Sequence, residues 1–520
     1  MSTIPSVPEA VPVAETPRAG TVADKGLRRG AIGLAGSTLL GVVQTAPAYS
    51  IAVTLGFLAA TVGVQSPAAI VLGFVPIFCM TIVERAFVAR DPDCGTVFVW
   101  VGRALGPRLG WIASWVLLGA TLISLANLAN ISGTYFFLVI GADSASTTEA
   151  ATIAVGCGVL AVATWLAVRG IEVSSRVQAV LMALGVAVLA VFVVVALVKV
   201  GDGSAGAQAL HPKASWLNPF DISGSGALSG GILLAIFFFW GWDGPAAVAE
   251  EARGGTRTPR RALVLSVVAL LGFYLIVTIA LQAYAGVGTK GIGLANEANS
   301  GDVLAVVGGA AVGSGFQTLM ELAVMTSAAA CLVAAMLPTA RGVLSMGAYR
   351  AFPDVFARVD PRTGSPVVAT AAVGLGVAGV LIVLSIVSNS ILGDSISAIV
   401  LLVAFYYTLL GLACLWQFRG EILRSPADFL SKLVAPAIGT GVLGWALYRN
   451  GKDTFQSDYG LTSLFGVGGV FVIGVATLLI GVVLMVVWNV RAPAFFRGET
   501  FTEGYIERHR PDLVERLRSG

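Results

Sequence analysis

Long apolar runs constrain this chain more than any other feature. Each is about 20 residues or slightly more, enough to cross ~30 Å of hydrocarbon as a helix, and too long for a buried strand. The charged residues cluster between these runs, which would be an odd distribution for several soluble cores of the size that 520 residues would need. Composition agrees: 56% of residues are apolar and 12% charged, where a soluble domain carries about 25% charged. The net charge of +3 points to neither nucleic acid nor an acidic partner. The expected fold class is therefore all-α integral membrane, with lipid as the surrounding partner.

Spans are expected at 31–58, 68–89, 111–140, 150–168, 173–200, 226–251, 262–286, 310–344, 366–387, 395–418, 430–448 and 462–490. That gives about twelve transmembrane helices. Residues 1–29 read as a disordered tail: they hold no apolar run, and the following segment is too long for a signal peptide. Residues 492–520 read as a second tail. With the N-terminus inside, the outer segments hold only Lys199, Lys213, Lys290, Arg449 and Lys452, and the other 27 of the 32 basic residues fall inside. So uneven a split supports a cytoplasmic (inner) membrane protein with both termini cytoplasmic. An odd number of spans would scramble the later loops.

Two spans look broken. The first contains Gln44-Thr45-Ala46-Pro47-Ala48-Tyr49-Ser50 and the sixth Trp240-Gly241-Trp242-Asp243-Gly244-Pro245. Proline removes a backbone donor and clashes with the preceding turn, and glycine lets the chain unwind. Spans one and six are corresponding members of two five-helix halves that run in opposite directions. This is the pattern of an inverted-repeat transporter with its site at the breaks. The competing reading is that Pro47 and Pro245 merely kink two helices.

The stretch from Phe237 to Ala262, FFFWGWDGPAAVAEEARGGTRTPRRA, resembles the sixth-helix motif of the amino acid–polyamine–organocation permeases. Gly241-Trp242-Asp243, Glu250-Glu251 and Pro259-Arg260-Arg261-Ala262 fill that motif's places. After the eighth span, Arg341, Pro353 and Pro361-Arg362-Thr363-Gly364-Ser365-Pro366 are similar to that family's inner loop, although Ala348-Tyr349-Arg350-Ala351 stands where Ala-Arg-Asp-Gly is usual. Ala46-Pro47 is similar to one variant of the family's broken first helix. The resemblance covers roughly residues 29–418. It implies a five-plus-five inverted repeat, a transporter core over 30–418, and two further helices within 419–491.

It also implies a secondary active transporter of amino acids working by alternating access, by cation-coupled symport or by exchange. The alternatives are a polyamine or organic amine permease, or a non-transporting nutrient sensor of the same fold. The substrate carboxylate is expected at the broken first helix and the amine at carbonyls of both breaks. Unsatisfied N–H groups and the positive dipole end of a half-helix suit an anion. The implied substrate contacts are Thr45, Ala46, Pro47, Ala48, Tyr49, Trp240, Gly241, Trp242 and Gly244, with Thr121 on the third helix. Phe237 reads as an aromatic lid, or as core packing.

Asp243 is the sharpest single candidate, because an acid inside a span is costly and usually functional. It reads as a coupling proton carrier, as a contact for a cationic amine, or as a cap on the inner half of span six. Glu321 is a second buried acid, for coupling or for polar pairing. Thr326 and Ser327 stand where sodium-coupled relatives hold an ion, or else bond back to their own helix. Gly185 stands where some proton-coupled relatives carry a lysine. Glu84-Arg85, Glu250-Glu251 and the Arg253–Arg261 cluster read as inner-surface topology determinants and gate pairs.

The five dispersed cysteines read as small buried apolar residues rather than a disulfide or metal framework. His211 and His509 fall in a loop and a tail. The GxGxxG matches at Gly286–Gly291 and Gly374–Gly379 follow no strand, so neither marks a nucleotide fold. No Walker A, GxSxG or HExxH motif occurs. Neither an enzyme nor a cofactor is expected.

Overall fold

The computed structural model describes residues 25–299, 301–387, 389–502 and 505–510. Eleven segments in it are helical, long and apolar enough to cross a membrane. The first, Leu34–Arg90, is 57 residues long, about 86 Å as one straight helix. It is in fact three pieces. Helices α1 (Leu34–Val43) and α2 (Pro47–Val62) are separated at Gln44–Ala46, and a 3₁₀ turn at Gly63–Gln65 leads into α3 (Ser66–Arg90).

The remaining helices follow in order. They are α4 (Val97–Leu105), α5 (Pro107–Val139), α6 (Glu149–Val168) and α7 (Ile171–Gly201). Next come α8 (Ser225–Phe239), the single turn α9 (Gly244–Ala247) and α10 (Arg257–Ala285). Then follow α11 (Val303–Val312), α12 (Ser314–Ala348), α13 (Val367–Val387), α14 (Asn389–Gln417), α15 (Ala435–Phe455) and α16 (Gly469–Arg491).

Burial separates a core from a lipid-facing rim. In α12, 78% of the most apolar window is inside the protein, against 17% in α16. Helix α12 is the central post, with α5 and α7 against it; α1 and α3 lie on α10, and α14 joins α5 to α15. Small residues set the close approaches. A Cβ on Gly133 would meet the Thr152 carbonyl at 2.1 Å, and one on Gly156 would meet the Ala129 carbonyl at 2.5 Å, so glycine on both α5 and α6 lets these two backbones touch.

Several boundaries differ from the sequence reading. The eighth span starts at Ser314 rather than 310, because Gly313, with φ of 122°, ends a separate short helix, α11. Span six ends at Ala247; residues 249–251 form a 3₁₀ turn. The last span starts at Gly469 rather than 462. Residues 463–468 form an antiparallel hairpin, Ser463–Leu464 with Val467–Gly468, and it is the only sheet among the described residues. Asp394 of α14 ties down its approach, accepting from the backbone N–H groups of Leu461 (2.7 Å) and Thr462 (2.8 Å). Of the stretch read as an N-terminal tail, 1–24 lie outside the described residues, whereas Lys25 and Leu27 are buried against the bundle.

Both breaks are backbone events. Ala46 sits in the left-handed region (φ 45°, ψ 62°), an unusual and costly place for a residue with a Cβ. Gly241 has φ of 109°, and a Cβ there would come within 2.6 Å of the Gln44 carbonyl oxygen. The two breaks therefore lie against each other. We predict that Gly241→Ala costs about 2 kcal/mol or more through positive-φ strain and overlap, while Gly158→Ala, with open space around its Cα, gains about 0.5–1 kcal/mol. Thermal unfolding of the purified variants in detergent checks both signs.

Candidate functional site

Helix α1 stops because the backbone turns left-handed at Ala46, and Pro47 at the first position of α2 starts the next helix with φ already set. The carbonyls released there are met by side chains from other helices. The Ser50 hydroxyl donates to the Thr45 carbonyl (2.7 Å), and the Cys331 thiol of α12 donates to the Gln44 carbonyl (3.0 Å). The Ala48 N–H donates to the Ser327 hydroxyl (3.3 Å). On the other side, Tyr274 of α10 donates to the Phe238 carbonyl at 2.5 Å, and its oxygen lies 3.1 Å from the Thr45 hydroxyl.

Between the breaks lies a chamber of about 50 Å³. Of the expected substrate contacts, Thr45, Ala46, Tyr49, Trp240, Gly241 and Thr121 line it, together with Phe237 and Asp243. Leu117, Leu125 and Leu128 supply apolar walls. Pro47 and Ala48 stand in the first turn of α2 without lining it. Trp240 donates through its indole N–H to the Tyr406 hydroxyl (2.8 Å). Trp242 is fully buried and stacks on Tyr407, away from the chamber. A second cavity of about 60 Å³ adjoins the first, sharing Gln44, Leu117, Thr121 and Asp243, and is lined also by Glu84 and Gly244.

Asp243 holds the N-cap position of α9, but its carboxylate makes no capping bond. It accepts instead from the Tyr407 hydroxyl of α14 at 3.0 Å. Glu321 accepts from Gln317 one turn earlier (3.0 Å). It lines neither cavity, so the structure does not bring it together with Asp243. The Thr326 hydroxyl bonds back to the Leu322 carbonyl at 2.8 Å. Thr326 and Ser327 share α12 with Cys331, and of the two it is Ser327 that touches the break. Gly185 of α7 faces this region: a Cβ there would lie 3.9 Å from the Thr326 hydroxyl.

One end of the bundle carries a buried ionic network. Lys25 bridges Glu250 (2.6 Å) and Asp93 (2.9 Å), with its side chain wholly enclosed. Glu250 also accepts from the Cys94 N–H (2.8 Å), and Asp93 from Ser345 (2.9 Å) and Tyr349 (2.7 Å). Arg341 makes a two-pronged pair with Glu251. Burial pushes the Asp93 carboxyl up, but the Lys25 ammonium and Arg103 guanidinium outweigh it and hold it at about 2. Burial pulls the Lys25 ammonium down, yet the surrounding acids, Asp93 first, raise it well above its ordinary value. The acids read as inner-surface pairs are thus not exposed: Glu84, Glu250 and Glu251 are 1%, 5% and 1% accessible.

Sequence reasoning put Glu84 at the inner surface and Gln44 only among the residues of the first break, and it missed Tyr407, Cys331 and the Lys25 bridge. Glu84 had a signal: adjacent helical residues point about 100° apart, so Glu84 and Arg85 cannot share a face. The others lie far apart in sequence and meet only through packing.

Two interrupted helices backed by a long central helix, with a chamber at the interruptions, make an all-helical multi-pass membrane protein. A family model described as "Amino acid permease" matches residues 31–493, so the chain belongs to the amino acid permease family. It is 25% identical over 221 residues to the "Uncharacterized amino acid permease YecA" of Bacillus subtilis (strain 168), covering 41% of this chain and 47% of that protein. It is 24% identical over 238 residues to the "Branched-chain amino acid permease BcaP" of Lactococcus lactis subsp. cremoris (strain MG1363), covering 42% and 49%. The chain spans about half the length of these curated relatives.

The Lys25–Asp93 pair yields a pH prediction. A carboxyl depressed in the folded state stabilises above its unfolded value of about 3.9, and that contribution disappears as pH falls toward about 2. Asp93→Asn should cost ~3 kcal/mol near pH 7. The gap to wild type should narrow as pH drops below 4, read as unfolding midpoints across a pH series in an acid-stable detergent.

Proposed function

We propose that this protein is a secondary active transporter that carries amino acids by alternating access, with substrate held between the breaks at Thr45–Tyr49 and Trp240–Gly244. The observation that carries this reading is the contact of the two breaks across one chamber, Gly241 against the Gln44 carbonyl. Backbone groups freed from helices supply both halves of a zwitterion site. The start of α2, at the positive end of its dipole, suits a carboxylate, and the second lone pairs of the Gln44 and Thr45 carbonyls suit an ammonium.

The same reading has twelve crossings in a five-plus-five inverted repeat over 30–418, followed by two helices within 419–491. Both termini face the cytoplasm, as the distribution of basic residues favours. The Lys25–Asp93–Glu250 and Arg341–Glu251 pairs then close the inner end and must separate for the site to open there. Tyr135, donating to Asp302 at 2.7 Å, belongs to the opposite closure.

Phe237, Trp240 and the leucines suit an aliphatic side chain, a preference that the name of the Lactococcus relative also suggests. A cationic amine is the second reading, favoured by Asp243 at the chamber wall. Coupling to a cation, proton or sodium, completes the proposal, with Asp243 the first residue to test and Glu321 the second.

The test is a thermal-shift panel of amino acids and polyamines followed by counterflow in proteoliposomes. A ligand at 100 times its Kd stabilises the native state by about 2.7 kcal/mol. An amino acid that stabilises the protein should exchange, and failure of every amino acid to exchange through folded protein contradicts the proposal. Asp243→Asn should lose proton-driven accumulation and keep exchange. Loss of both in a folded variant assigns Asp243 to binding, and a sodium requirement abolished by Thr326→Ala or Ser327→Ala moves coupling to that pair.

A further inference from the structure

Glu84 lies in α3 and is 1% accessible. It makes no ion pair with any described residue, and its Oε2 atom is buried without a hydrogen-bond partner. It lines the cavity of about 60 Å³ that Asp243 also borders. Gln44, also lining this cavity, has its own Oε1 buried and unpartnered. Two acceptor oxygens of its lining residues are thus without a donor. The Thr121 hydroxyl is turned to the Leu117 carbonyl and Thr339 to the Ala335 carbonyl, while Ser114 is turned to the Met346 sulfur.

The groups around Glu84 supply no compensating base. Asp243 and the phenols of Tyr406 and Tyr407 on α14 are its titratable neighbours. The next residue, Arg85, lies beside Arg260 of α10 instead. Helix α8 has no titratable residue. Helix α15 meets α3 at Gly439 against Cys79 and Met80, and its own titratable residues begin at Tyr448. Lys432, ahead of α15, is held by Glu421 and Asp428, while Lys25 and Arg341 are held in the network described above. A carboxylate enclosed at this depth needs a positive charge, and here that charge has to come from a mobile cation.

We propose that Glu84 and Asp243 together form a proton site, one proton residing on the carboxyl pair across the cavity. The proposal rests on the transporter reading above and deepens it by placing the coupling cation. At about 60 Å³ the cavity has room for water, which can deliver the proton to either carboxylate oxygen. Asp243 borders both this cavity and the substrate chamber, so a charge on the pair is felt where substrate binds.

The experiment uses the full chain in proteoliposomes filled with pyranine, with each proteinogenic amino acid added outside in turn and counterflow of the same amino acid measured in parallel. Wild type should acidify the lumen. Glu84→Gln should lower that acidification about ten-fold or more while counterflow stays within about three-fold, and Glu84→Asp, which restores the carboxyl, should recover it. Acidification by Glu84→Gln at the wild-type rate overturns the proposal, as does a wild type that exchanges without moving protons. Absence of exchange for every amino acid instead removes the transporter reading, and the proposal with it. If Glu84→Gln does not assemble, infrared difference spectra between pH 9 and pH 5 decide in wild type and Glu84→Asp. A protonated-carboxyl stretch that shifts in the variant supports the site, and identical spectra overturn it.

Discussion

A backbone N–H or C=O that leaves a helix at membrane depth has no lipid group to bond, and each one left unmet costs several kcal/mol. Much of the core follows from meeting that demand at two places. The left-handed Ala46 and the positive-φ Gly241 open α1–α2 and α8–α9 side by side. Ser50, Cys331 and Tyr274 then reach the carbonyls of Gln44, Thr45 and Phe238, while Ser327 receives the Ala48 N–H. These partners come from α2, α10 and α12, which explains why α12 must be the buried post of the bundle and why Tyr274 is among its most enclosed side chains. The strain is held locally by neighbours, and the polar groups that remain face a chamber of molecular size. Strain of this kind marks sites that bind or switch.

Charge burial follows two patterns that differ in meaning. At the end bearing the N-terminal segment, Lys25, Asp93, Glu250, Glu251 and Arg341 are enclosed but fully paired. Such pairs cost desolvation and return it only through good geometry, so their arrangement holds specific loops together: the segment before α1, the loop after α3, the turn after α9 and the end of α12. Near the breaks, Glu84 is enclosed and Asp243 half-buried, and neither has a basic partner among the described residues; Asp243 has only a phenol. The first pattern ties loops together, and the second leaves acids without a base beside the cavities.

Much of this was readable beforehand, for physical reasons. Apolar runs report spans because lipid tolerates little else, and Pro47, Gly241 and Pro245 report breaks because they alter backbone chemistry locally. Thr45, Tyr49, Trp240 and Phe237, at or beside those breaks, line the chamber between them. What could not be read depends on side chains from distant segments converging. The thiol of Cys331 on the Gln44 carbonyl and Tyr407 on Asp243 leave no periodic trace in the sequence. Lys25 belonged to a stretch without an apolar run, and only the acids 68 and 225 positions away explain its burial. Trp242 was expected at the chamber from its neighbours, yet it lies past the positive-φ turn at Gly241 and stacks on Tyr407 instead.

The central claim is that the paired breaks hold the substrate. Its most direct test is a structure of the protein with its amino acid bound, determined in lipid nanodiscs after the stabilising ligand has been identified. The account predicts density between Thr45–Tyr49 and Trp240–Gly244, with the carboxylate at the first turn of α2 and both breaks still open. Density elsewhere in the bundle, with Gln44–Ala46 and Trp240–Asp243 drawn into continuous helix, would contradict it.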